Sequence, residues 1–141
     1  MGIFTNLFSL NVQAKPSSKK DIIVLLGAAK FEHEVTVGEE HQAALEIICG
    51  KRVPRGVNRF ETARLFVEDK NRDDINAVRV EIKGKPVGYL APVDAVAFRE
   101  HAAGRGLLKA IGECQAVIHG GWISSDGRKG DYEVSLDLHN L

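Results

Sequence analysis

Apolar and polar residues alternate with a period of two through Phe31, His33, Val35 and Val37 on one side and Glu32, Glu34 and Thr36 on the other, which predicts a half-buried strand. The period then changes. His41, Ala44, Leu45 and Ile48 recur at helical spacing, with Glu39 and Glu40 before them and Gly50, Lys51 and Arg52 after them. Acid at the start, base past the end and a glycine stop all suit a short helix over 39–50. Alternation returns where Leu65 and Val67 are interleaved with Arg64, Phe66 and Glu68, and again where Val78, Val80 and Ile82 are interleaved with Arg79 and Glu81. Val87 and Tyr89 follow a tight turn at Lys83-Gly84-Lys85, so these last two segments should form a hairpin. Pro92 opens a second helix that runs to His101, with Val93, Val96, Ala97 and the stem of Glu100 on its packed side.

The last third reads as a second hairpin. Cys114, Ala116 and Ile118 alternate with Gln115, Val117 and His119, and Gly120-Gly121-Trp122 bends the chain. A polar turn over 124–131 leads to Tyr132, Val134, Leu136 and Leu138, which alternate with Glu133, Ser135 and Asp137. No strand is assigned before Lys30. Six short strands and two helices predict a mainly β, α+β chain curled into a small barrel.

One polar stretch stands out between these strands. Residues 68–77 are dense in Asn and Asp, whose side chains bond nearby backbone groups and so build a structured turn. At a sheet edge such a turn can hold a ligand. A second stretch, 51–59, is a loop by its Pro54 and Gly56, and between Lys51 and Arg64 five basic residues face Glu61 alone, with Phe60 among them. Close positive charges that include Arg55 and Arg59 are what a phosphate-contacting loop requires.

Composition narrows the function classes. The 141 residues fit one domain, taken as 21–141, behind a flexible tail and linker over 1–20. Lys and Arg balance Asp and Glu at 19 each, so no bulk field draws the chain to nucleic acid or to an anionic membrane. Any such binding must be local. Cys49 and Cys114 form no CxxC pair, which argues against a disulfide scaffold and a zinc knuckle and points to a reduced, cytoplasmic setting. Residues 1–10 carry Ile3, Phe4, Leu7 and Phe8 at helical spacing, lack the form of a secretory signal, and fail the myristoylation pattern at Asn6. They remain a candidate helix for a protein partner.

Several motifs fail on inspection. Asp69-x-Asn71-x-Asp73 starts like a calcium loop, but Asp74 stands where glycine is needed and Val80 where the closing glutamate is needed. Residues 121–128 miss the phosphate-loop spacing and its Lys-Ser/Thr ending. His33, His41, His101, His119 and His139 show no metal-ligand spacing, so neither metal nor cofactor is expected. No local Ser-His-Asp or Cys-His context points to an enzyme, although such groups assemble from remote positions.

Val37-Gly38, the following helix to Gly50, Ala63-Arg64-Leu65-Phe66-Val67-Glu68, Asn71-x-x-Asp74-x-Asn76-Ala77-Val78-x-Val80 and Val87-Gly88-Tyr89-Leu90 together resemble the HIRAN domain, in order from about Phe31 to Phe98. The resemblance implies a modified OB-fold-like six-stranded β-barrel with two helices, and a non-enzymatic module that grips single-stranded DNA at a 3′ end, in DNA repair or replication. It also implies that Asn71 and Asp74 are polar members of the DNA-end pocket and that Tyr89 is its ring-bearing member. A carboxylate can accept a bond from a terminal sugar hydroxyl, and a ring can stack on a base. The chain departs from the family at Glu40-His41-Gln42, where the DNA-binding members carry a basic residue and two aromatics. That leaves His41 as the ring for partial stacking and Arg55, Arg59 and Phe60 as the source of charge and further contact. The rival expectation is a protein-interaction module of the same fold with no DNA binding.

Overall fold

The computed structural model describes residues 21–139, so the expected tail and linker over 1–20 lie outside the described residues. The described residues form seven strands: β1 (Ile22–Val24), β2 (His33–Thr36), β3 (Val57–Val67), β4 (Val78–Ile82), β5 (Lys85–Leu90), β6 (Ile111–Gly120) and β7 (Tyr132–Asp137). A 3₁₀ turn at Glu39–His41 leads into helix α1 (Gln42–Cys49), and helix α2 (Pro92–Gly104) follows β5. Strands β6, β3, β4, β5, β2 and β7 pair in that order, and β7 returns to β6, so six antiparallel strands close a barrel. The expected mainly β, OB-fold-like barrel is therefore observed. β1 is extra to it, running parallel to β6 from Ile22 opposite Ile111 to Val24 opposite Glu113.

Alternation decides what fills the barrel. Leu65, Val80, Ile82, Ile118, Val134 and Leu136 point inward and are almost wholly buried. The β4/β5 hairpin turns at Lys83 and Gly84, as its sequence demands. Val80 faces Gly88 but Glu81 faces Pro86, so Val87 is an extra residue and the strand carries a bulge. The bulge changes the phase: Val87 and Leu90 are buried while Tyr89 turns to the outer face opposite Arg79. Gly88 (φ 152°) passes against the Thr36 carbonyl, where a Cβ has no room. That close approach lets β5 bond β2 and continue the closure.

Both helices of the described residues pack buried side chains into the barrel core. Leu45 and Ile48 of α1 are buried, as the helical spacing predicts. Gln42 fixes the start of α1: its side chain accepts from the Tyr132 N–H at 2.8 Å and donates to the Tyr132 carbonyl at 3.0 Å. Helix α2 shows a different face from the expected one. Val93 is 75% exposed and Val96 40%, whereas Asp94, Ala95, Phe98 and Ala102 are buried. Two distant contacts set this rotation. His33 Nδ1 of β2 lies 3.0 Å from Asp94 Oδ1, and the Phe98 ring fills the space left by the missing side chain of Gly112 in β6.

Two further expectations are corrected. Residues 57–59 belong to β3 rather than to a loop, since Val57, Asn58 and Arg59 pair with Gly120, His119 and Ile118. Their polar character reflects exposure at the end of a long strand. Strand β1 was not expected, because Ile22 and Val24 are exposed and only Ile23 is buried, leaving too short a pattern to read.

An added methyl at Gly112 would sit 2.8 Å from the Phe98 ring. Gly112→Ala should therefore cost about 1–3 kcal/mol of unfolding free energy by overpacking, and Phe98→Ala about 3–5 kcal/mol. Val93→Ser should stay within about 0.5 kcal/mol. Urea unfolding of the three variants tests the observed face of α2, since the expected face reverses their order.

Candidate functional site

The polar stretch after β3 folds as a turn made by its own side chains. Asn71 Oδ1 accepts from the N–H groups of Asp73 (2.9 Å) and Asp74 (3.1 Å), and Asp74 Oδ1 accepts from the N–H of Asn76 at 2.8 Å. The Ala77 N–H donates to the Asp74 carbonyl, and the Glu68 N–H to the Ala77 carbonyl. These bonds span two to nine residues, so Asn and Asp at these positions dictate the turn locally.

Glu68 ties that turn to the barrel wall. Its Oε1 accepts from Asn71 Nδ2 and from the Tyr89 hydroxyl, both at 3.0 Å, and its Oε2 accepts from Arg79 Nη1 at 2.7 Å. Arg79 also donates to Glu81 Oε2 at 2.8 Å, and its guanidinium lies 4.7 Å from the centre of the Phe66 ring. From α2, Arg99 donates to the carbonyls of Glu68 and Ala77, clamping both ends of the turn. Partial burial pushes the Glu68 carboxyl up, but the bonds from Arg79, Asn71 and Tyr89 outweigh it and hold the group below its ordinary value. Burial and the neighbouring Glu68 push the Tyr89 phenol up, so it stays a neutral donor.

The rim of this cluster is completed by His41. Its ring centre lies 6.5 Å from that of Tyr89 at an interplanar angle of 60°, an arrangement that leaves the two rings splayed. His41 Nδ1 is buried without a hydrogen-bond partner among the described residues. Of the expected site residues, Tyr89 and His41 are neighbours, and Asn71, which Glu68 ties to Tyr89, shares its turn with Asp74. Asn71 is consumed by the turn. Asp74 is exposed and uses one carboxylate oxygen on Asn76. Gln42 holds β7 and cannot serve as a second platform.

Arg55, Arg59 and Phe60 make no contact with that rim. Arg59 bonds Glu61 at 2.5 Å, a carboxylate it shares with Lys83, and Phe60 stacks edge-on with Phe31 at 5.4 Å on the outer face of β3. Arg55 is exposed in the turn before β3. Arg79 escaped the sequence reading, although its place between Val78 and Val80, opposite Tyr89, marks it as an outward charge on the same strand pair. The rim itself is acidic. Glu39, Glu40, Asp69, Asp73 and Asp74 are exposed around it, against Lys70 and Arg72, while Arg79 and Arg99 are engaged by carboxylates and carbonyls.

Two other features have the outward form of sites. A groove of about 540 Å³ crosses the outer face of β3 and β4, but its charges pair with one another, Arg64 with Glu113 and Lys83 with Glu61. A Ser-His-Glu chain joins β6 and β7, with His119 Nε2 3.1 Å from Ser135 Oγ and Nδ1 3.2 Å from Glu133. Ser135 is only 6% exposed, so its hydroxyl is closed to a substrate carbonyl and the chain reads as a cross-strand ladder. No helix among the described residues is long and apolar enough to cross a membrane. Comparison with protein-family models, with curated proteins and with solved structures gives no match.

The Glu68 network makes a stability prediction with a defined sign. A carboxyl held low in the folded state stabilises it above the ordinary glutamate pKa of about 4.3, and that contribution is lost as pH falls through the folded value. Glu68→Gln should therefore destabilise the protein at neutral pH, and the gap from the wild type should close below about pH 4. Chemical unfolding across pH checks this; a gap independent of pH would show that the charge of Glu68 plays no part.

Proposed function

We propose that this chain is a HIRAN-like, non-enzymatic module that binds the 3′ end of single-stranded nucleic acid at the rim formed by Asp74, Tyr89 and His41. The observation that supports this reading is the Glu68 carboxylate, which bonds both the Tyr89 hydroxyl beside His41 and Asn71 of the turn that carries Asp74. Each has a chemical task. The uncommitted oxygen of Asp74 accepts a bond from a terminal sugar hydroxyl, and the Tyr89 ring offers a face to a terminal base, with the His41 ring, 15% exposed, beside it. Asn71 acts through the turn it ties, holding Asp74 in place.

The acidic rim favours an end over an internal stretch. A terminal nucleoside enters with its uncharged sugar and base ahead of its phosphate, whereas an internal segment would bring phosphates on both sides against Glu39, Glu40 and Asp73. DNA repair and replication are processes that expose such ends, and the module would act there as a reader. A second reading, a protein-binding module of the same fold, draws on Ile75, which is 75% exposed at the tip of the turn.

Fluorescence anisotropy with short single strands bearing a free or a phosphate-blocked 3′ end separates these readings. The free end should bind at least about tenfold tighter, the worth of one bond to a charged group, and Asp74→Ala should abolish the difference. Tyr89→Ala should weaken binding roughly 5- to 150-fold, the value of one stacked base, while Tyr89→Phe keeps the ring and should bind nearly as well. Absence of binding at low salt sinks the nucleic-acid reading; equal binding of both ends retains the nucleic acid and removes end recognition.

A further inference from the structure

Around Trp122 two loops meet that the rim does not use. The main chain of residues 51–56 and that of 121–130 are tied together: Val53 pairs with Trp122 as an isolated bridge, the Ile123 N–H donates to the Val53 carbonyl at 3.1 Å, and Arg52 donates to the Gly130 carbonyl. The Trp122 indole lies against Gly130, where any Cβ would collide with it, so its position is set by backbone. It is nevertheless 39% exposed, beside Val53 at 41%. An indole held rigidly with part of its surface in water costs little entropy to stack on.

The charges around it are one-sided. Arg52 is engaged by Glu46 (3.5 Å) and Arg128 by Asp126 (3.0 Å), leaving Lys51, Arg55 and Lys129 exposed and without an ion-pair partner among the described residues. Asp131 is an exposed acid nearby without an ion-pair partner among the described residues, while Glu46 and Asp126 are the exposed acids already engaged. This surplus of positive charge contrasts with the acidic rim at the other end of α1, a helix of eight residues that spans about 12 Å. The chain therefore separates its two kinds of surface by the length of one short helix.

We propose that Trp122, with Lys51, Arg55 and Lys129, forms a second contact for single-stranded nucleic acid that needs no strand end. The indole stacks on an unpaired base, and the three cations take the phosphates that flank it. A duplex keeps its base faces stacked inside, so it meets the cations but not the indole. The proposal stands apart from the reading of the rim, because an internal segment suffices for it.

Trp122 is the only tryptophan in the chain, so its fluorescence reports on this surface directly. The probe is an oligothymidylate blocked at both ends, titrated at low salt into the intact protein. Saturable quenching reversed by salt is expected, and Asp74→Ala should leave it unchanged, which separates this surface from the rim. Replacing Lys51, Arg55 and Lys129 together by Gln should reduce the slope of log affinity against log salt by about 2, since each phosphate contact on a single strand contributes about 0.7. Trp122→Leu, followed by anisotropy with the labelled strand, should weaken binding roughly 5- to 150-fold. No quenching at low salt, equal quenching by a duplex of the same length, or quenching by anionic phosphatidylserine vesicles but not by the oligonucleotide would each overturn the proposal.

Discussion

Closure of the barrel is the constraint from which the rest follows. Strand β6 bonds β3 along one edge and β7 along the other, so every barrel strand has an inner and an outer face with no free edge between them. The inner face takes Leu, Ile and Val. The outer face must be polar and internally matched, and Glu68, Arg79 and Glu81 meet that demand as a chain of ion pairs. The candidate rim grows from this outer layer: once the bulge at Val87 turns Tyr89 outward opposite Arg79, the Glu68 carboxylate can hold Tyr89, Arg79 and Asn71 together.

Local bonds were legible in the sequence, and distant ones were not. The turn after β3 could be read because Asn71 and Asp74 bond backbone groups two and three residues away. The buried face of α1 and the β4/β5 hairpin follow from periods contained in a single segment. The face of α2 does not, because Val93 and Val96 look like core residues until His33 and Gly112 are brought to Asp94 and Phe98 from other strands. Residues 57–59 read as loop for a similar reason: Asn58, Arg59 and Phe60 are exposed in succession at that end of β3, and alternation disappears. At the site, Asp74, Tyr89 and His41 were named from sequence, but Glu68 and Arg79 became visible only once strand register placed them together.

The net charge of zero hides an ordered distribution. Ion pairs engage much of the outer barrel, including Arg59 and Arg64, which looked available in the sequence. Among the described residues, exposed acids gather around the Asn71 turn and unpaired bases around Trp122. Such a division would suit the proposed ligand, which offers a neutral end and a charged backbone, without any overall field.

The central claim is that the rim of Asp74, Tyr89 and His41 receives a free 3′ terminus. Backbone amide NMR of the isotopically labelled protein, titrated with a short single strand, tests it residue by residue. With a free 3′ hydroxyl the account predicts the largest shifts at residues 69–77, at Tyr89 and at 40–42, and their loss when the terminus is phosphate-blocked. Shifts that spare those residues, or that are the same for both strands, would contradict it.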